Sequence, residues 1–193
     1  MGDGTYYAAD GTGNCGFDKS ADLMVGAMNH TDYAASAVCG ECVAITGPKG
    51  VVTIAIVDQC PECKPGDIDL SQEAFAKIAD VSAGRVSISW KVVSCGLPGP
   101  IAYHEKDGSN AYWTAVQIRN SNNAILKLEA MKNGAYEALP RVDYNYFIDD
   151  KGLGNGPFDF RVTDIYGNVL EDKAIPLGAN QTFQGAAQFP PCP

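Results

Sequence analysis

The chain has 193 residues, a mass of 20.4 kDa and a formal charge of −9, from 14 Lys plus Arg against 23 Asp plus Glu. With 46% hydrophobic and 19% charged residues it can build a core, which excludes a disordered tail. No apolar run reaches the roughly 20 residues of a membrane helix, and a pI near 4.5 excludes the basic face that nucleic-acid phosphates require.

Seven cysteines, 21 glycines and 11 prolines describe a loop-rich, mostly β protein of an oxidising compartment. The start Met-Gly-Asp-Gly lacks an apolar h-region, so the expectation is a secreted chain whose signal peptide has been removed, with Met1 an added start. The first predicted strand is Val51 to Val57, nearly all apolar and β-branched, as for a strand buried on both faces. A helix follows from Ser71 to Ala79: Ser71 suits the N-cap, Glu73 the first turn, and Ala74, Phe75 and Ile78 share a face. Next, Val86, Ile88, Trp90 and Val92 alternate with Ser87, Ser89 and Lys91, which predicts a strand with one wet face. A mostly β domain with one short helix fits a barrel.

Gly96-Leu97-Pro98-Gly99-Pro100 cannot continue a strand or helix. It divides the chain into a domain at 1–96, a short linker at 97–100 and a second domain at 101–193. Beyond it, Tyr112–Ile118, Ala124–Met131, Tyr144–Ile148 and Phe158–Thr163 are short strand candidates between Asn, Gly and Pro clusters, the pattern of an antiparallel sandwich.

Cys39-Gly-Glu-Cys42 and Cys60-Pro-Glu-Cys63 have the spacing of a four-thiolate zinc ribbon. Cys15 and Cys95 flank them and make six, an even set for three disulfides in a secreted module. Spacing alone leaves both readings open, and Cys192 is the odd cysteine. His30 and His104 have no metal-site spacing and read as solvated loop residues; no cofactor motif is present.

Asp58 stands at the end of the first predicted strand, and Asp69 just before the helix. Two carboxylates at one end of a barrel can serve acid/base chemistry if their surroundings separate their pKa values. The plainer reading is that Asp69 caps the helix and Asp58 accepts loop amides.

Several motifs occur in one order on both sides of the linker. They are Gly4-Thr5-Tyr6-Tyr7 with Asn14-Cys15-Gly16-Phe17, Cys39-Gly-Glu-Cys42, Val57-Asp58, and Asp67-Ile68-Asp69-Leu70-Ser71 with Ala74-Phe75. Tyr112-Trp113-Thr114-Ala115-Val116-Gln117-Ile118-Arg119-Asn120, Asp143-Tyr144-Asn145 and Phe160-Arg161-Val162-Thr163-Asp164 follow. In these the chain resembles the expansins, in particular the microbial expansin-like proteins.

The resemblance implies an all-β chain of two domains, a six-stranded double-psi β-barrel followed by an immunoglobulin-like β-sandwich, together forming one groove. It implies a secreted, monomeric, non-enzymatic protein that binds cellulose and the matrix glycans of plant cell walls and loosens them without hydrolysis. On that analogy Asp69 is the central groove residue, with Asp58, Thr5 and Tyr7 near it. Tyr112, Trp113 and Tyr144 form an aromatic platform, bordered by Lys106, on which the flat faces of sugar rings pack. By the same analogy the disulfides are Cys15–Cys39, Cys42–Cys95 and Cys60–Cys63, with no metal. Tyr112 and Trp113 are adjacent, so both can line one surface only at a strand start or an irregularity.

Cys60 stands where many microbial relatives carry an aromatic residue, and −9 disfavours an acidic polymer such as pectate. Two rivals stay open. One is a glycan-cleaving enzyme on the same barrel, an endoglucanase or lytic transglycosylase. Inversion needs an acid and a base roughly 6.5–9.5 Å apart. The barrel-bearing endoglucanases take that base from a first-strand Asp where this chain reads Thr5-Tyr6-Tyr7, with Asp10 past the matching position. The other rival is a zinc-ribbon binding module.

Overall fold

The structure, a computed structural model, describes residues 1–192 and divides into two compact units, Met1–Cys95 and the segment from Gly96 onward.

The first unit is a closed six-stranded barrel. Its strands are β1 (Gly2–Tyr7), β2 (Val25–Asn29), β3 (Cys42–Gly47), β4 (Gly50–Cys60), β5 (Ile68–Ser71) and β6 (Val86–Val93), with spatial order β1-β5-β2-β4-β3-β6. The pairs β1–β5 and β2–β4 are parallel and the other contacts antiparallel. Two short helices interrupt the strands, α1 (His30–Tyr33) and α2 (Gln72–Ile78). In α2, Ser71 Oγ accepts the Ala74 N–H at 3.0 Å, and Ala74, Phe75 and Ile78 are buried as the spacing predicts. Inside the barrel pack Met28, Ile45, Ile54, Ile56, Ile68, Leu70 and Phe75, all almost fully buried.

β4 corrects the reading of a strand buried on both faces. Val51 is 62% exposed and Thr53 faces out, because a closed sheet has one inner face and this stretch of wall carries no covering layer. The described structure joins Cys15–Cys39, Cys42–Cys95 and Cys60–Cys63, so the four cysteines with ribbon spacing are held as disulfides and the zinc-ribbon reading fails. Cys192 lies outside these three bridges.

In the second unit, two four-stranded sheets share one apolar core. The first has the order β11 (Phe147–Asp149), β8 (Thr114–Arg119), β7 (Ala102–Glu105), β14 (Thr182–Gln184). The second has the order β10 (Ala135–Ala138), β9 (Ile125–Lys132), β12 (Phe158–Asp164), β13 (Val169–Ile175). Tyr103, Val116 and Phe147 from the first meet Leu128, Phe160 and Val162 from the second. The Pro-rich connector is tied down within this unit. Asn120 Nδ2 donates to the carbonyls of Pro98 (2.9 Å) and Pro100 (2.8 Å), Gln188 Nε2 to Gly99 (3.1 Å), and the Leu97 N–H to Asn122 Oδ1 (2.7 Å).

Candidate functional site

β1 and β5 run side by side in parallel with Thr5 opposite Asp69. Side chains two apart on a strand share a face, so Asp3 and Thr5 point one way while Tyr6 turns to pack on Phe75, ring centroids 5.0 Å apart. Thr5 Oγ1 donates to Asp69 Oδ1 at 2.5 Å. The pair opens on a cleft of about 410 Å³ whose wall also includes Asp3, Glu62, Lys64 and Arg85. Asp58 and Tyr7 do not line this cleft; the Asp58 charge acts on both the Asp69 carboxyl and the Tyr7 hydroxyl.

The carboxylates differ in environment. Burial pushes the Asp69 carboxyl above its ordinary value, the Thr5 hydrogen bond pulls it down, and the charges of Glu62 and Asp58 push it up again. Asp58 Oδ1 accepts two backbone N–H groups, Asn14 at 2.7 Å and Gln59 at 2.8 Å, so the loop-amide role is the one it fills. Asp69 does not cap α2; Ser71 does. Asp10 accepts from the Thr12 hydroxyl at 2.5 Å and pairs with Lys19 at 3.0 Å, and these contacts hold it down at about 2. The Tyr7 hydroxyl is buried, and burial together with Asp58, Asp69 and Asp10 raises its pKa. Within Cys39-Gly-Glu-Cys42, Glu41 is 5% exposed, and burial pushes its carboxyl up to about 7.

In the second unit Tyr112 and Trp113 precede β8 in a tight turn closed by Asn110 and Trp113, which exchange backbone hydrogen bonds of 2.8 and 3.3 Å. A turn lifts the strict alternation of a strand. Tyr112 is 83% exposed and Trp113 half-buried. Tyr144 is also half-buried, in the turn before β11, with its ring 6.0 Å from that of Tyr146. Lys106 Nζ stands 5.2 Å from the Tyr146 centroid, a cation–π contact. Tyr146 was not among the residues picked from sequence, although Tyr144-Asn145-Tyr146 repeats an aromatic at the spacing that shares a strand face. His104 corrects the expectation of a solvated loop: it lies on β7, 7% exposed, with Nδ1 2.9 Å from Thr182 Oγ1 and its ring beside Tyr146. His30 is exposed at the start of α1.

Among the described residues no three His, Cys, Asp or Glu side chains stand together as metal ligands, and no helix is long and apolar enough to cross a membrane.

The family described as lytic transglycolase matches residues 4–90, the barrel. Expansin-YoaJ of Bacillus subtilis is 34% identical over 179 residues, which is 88% of this chain and 77% of that protein. The chain belongs to the expansin family. Expansin-like protein 1 of Dictyostelium discoideum is 29% identical over 96% of this chain and 70% of its own length. The crystal structure of a Clavibacter michiganensis expansin superposes with a TM-score of 0.91 at 31% identity, covering 98% of this chain and 97% of that one. A mutant of that expansin, solved in complex with cellohexaose, superposes at 0.92. The all-β architecture with a closed barrel is thus an expansin architecture. The rival reading of a glycan-cleaving enzyme gives way to a family of non-hydrolytic proteins.

Proposed function

We propose that this expansin binds cellulose through the Tyr112-Trp113 turn and loosens glycan networks at the barrel cleft centred on Asp69. The observation that carries the reading is the Thr5–Asp69 hydrogen bond. On β1, opposite Asp69, stands a hydroxyl already engaged with the carboxylate, where a hydrolase needs a base that activates water. The Asp69 carboxylate accepts hydrogen bonds and competes for glycan hydroxyls that otherwise bond to a neighbouring chain. Tyr112, Trp113 and Tyr144 offer flat apolar surface to sugar C–H faces, with Lys106 at their border. Asp58 and Tyr7 support the region around Asp69.

The protein acts as a secreted monomer on cellulose and the neutral matrix glycans of plant walls, since a chain of −9 repels a polyuronate. Three disulfides fit that oxidising setting. The test measures cellulose binding, paper weakening and reducing-sugar release on the same samples. Wild type weakens paper and releases no sugars above background; Asp69→Asn binds normally and fails to weaken. Sustained sugar release that disappears in Asp69→Asn overturns the reading.

A further inference from the structure

The turn that carries Tyr112 is backed by a second feature of the same unit. The loop after β11 hydrogen-bonds to it twice: Gly154 N–H to the Ala111 carbonyl at 3.1 Å, and Leu153 N–H to Thr114 Oγ1 at 3.1 Å. Just before these two residues, Gly152 approaches so closely that a Cβ there would lie 2.2 Å from the Ala111 carbonyl oxygen, and its φ is +74°. Only glycine fits both demands. The same loop forms one wall of a cleft of about 330 Å³ through Asp149, Lys151, Gly152 and Leu153, and Met131, Lys132 and Asn133 at the β9–β10 hairpin complete it. Gly152 lines this cleft and lies against the Ala111–Tyr112 peptide, so the cleft sits beside the backbone of the turn that carries Tyr112.

The cleft is built for an amphiphilic ligand. Met131, 39% exposed, and Leu153 supply apolar surface. Lys132 hydrogen-bonds the Asp149 carboxylate, whose side chain is 7% exposed, and Asp149 Oδ1 also accepts the Lys151 N–H at 2.9 Å. A carboxylate has about four lone-pair sites, and Lys132 with the N–H groups of Lys151 and Gly152 engages three, so Asp149 keeps one acceptor site, while Lys151 and Asn133 bring exposed donors. Its volume lies at the lower end of the range of small-ligand pockets, roughly 300 Å³ upward.

We propose that this cleft is an additional glycosyl subsite that takes the next sugar residue of a neutral glycan chain already lying on Tyr112. It rests on the platform reading and extends it. Donors at Lys151 and Asn133 and the acceptor at Asp149 grip ring hydroxyls, and Met131 and Leu153 receive a C–H face. The subsite makes affinity grow with chain length past what the aromatic platform alone holds.

Isothermal titration with cello-oligosaccharides from tetramer to octamer tests this. Asn133 has φ +49°, so Asn133→Gly removes the amide while keeping the backbone at ease. Lys151→Ala removes an exposed ammonium, and Lys173→Ala, exposed on β13, controls for charge. The octamer binds wild type and Lys173→Ala more tightly than the tetramer does. In Lys151→Ala and Asn133→Gly octamer affinity falls by about threefold to tenfold, the worth of one hydrogen bond, with tetramer affinity unchanged. The same length dependence in all four proteins, or none in wild type, overturns the subsite alone. Failure of wild type to bind any oligomer overturns the platform reading and the subsite with it.

Discussion

Thr5 and Asp69, 64 residues apart in sequence, are joined by a 2.5 Å hydrogen bond across the parallel pair β1–β5. The bond lowers the proton affinity of a carboxyl that burial has raised. Thr5→Val keeps the shape and removes the donor, so the Asp69 pKa rises further. If the ionised carboxylate is the working form, the acid limit of wall loosening moves to higher pH in Thr5→Val. Carboxyl-carbon NMR titration and paper weakening against pH check both halves. An unchanged Asp69 titration sinks the account. The stability sign is the reverse of a salt-bridged Asp: with the folded pKa above the ordinary 3.8, the barrel gains stability as pH falls through that folded value.

Glu41 offers a sharper pH test because no partner accounts for its shift. Its carboxyl titrates at about 7 against an ordinary 4.5, through burial. The folded state therefore holds a proton that the unfolded state has lost, and stability falls as pH rises from 4.5 through 7. Glu41→Gln removes the charge and should raise stability at pH 8 by about 3 kcal/mol, with little change at pH 4. Denaturant melts at the two pH values decide it, and an equal effect at both would place the cause elsewhere.

Legibility differed between fold and site. The α2 spacing and the β6 alternation carried their signals locally, and both elements stand where the pattern predicts. β2 did not: Val25-Gly-Ala-Met-Asn29 is buried at every position, so it shows neither alternation nor length. β13 escaped because Glu171, Asp172 and Lys173 fill its centre and its register with β12 slips between Phe158 and Phe160. In the site, Asp69 was visible through its motif. Arg85 was not, because its place on the cleft wall comes with an ion pair to Asp3, 82 residues away, at 3.1 Å. Such closure belongs to barrel topology, which no local pattern encodes. Asn29-His30-Thr31 has the Asn-X-Thr form of a glycosylation acceptor, yet the fold closes it: Asn29 is fully buried and its side-chain oxygen accepts the Asp32 N–H to cap α1.

The three disulfides should rank by the loops they close. Cys42–Cys95 spans 53 residues, Cys15–Cys39 spans 24 and Cys60–Cys63 only 3. Chain-entropy arithmetic gives contributions of about 4, 3.5 and 1.6 kcal/mol. Paired Cys→Ser variants melted in denaturant should lose stability in that order. A Cys60/Cys63 variant as damaged as the Cys42/Cys95 one would mean that the short ring positions the cleft wall beyond its entropic effect.

The final test separates contact from support in the second unit. Tyr112 is 83% exposed, whereas Tyr146 is 5% exposed, with its ring beside those of His104 and Tyr144 and under the Lys106 ammonium. Tyr112→Ala should leave the melting midpoint within the scatter of surface substitutions, about 0.5 kcal/mol, and remove most cellulose binding. Tyr146→Ala opens a void beneath Tyr144 and Lys106 and should cost about 3 kcal/mol or more, the range for a buried aromatic. Its cellulose binding weakens because Tyr144 and Lys106 lose the ring they rest on. Tyr146→Phe keeps the ring and so should restore stability and binding together. If Tyr146→Phe recovers stability while binding stays low, the hydroxyl of Tyr146 contacts the glycan, and the division of labour drawn between Tyr112 and Tyr146 is wrong.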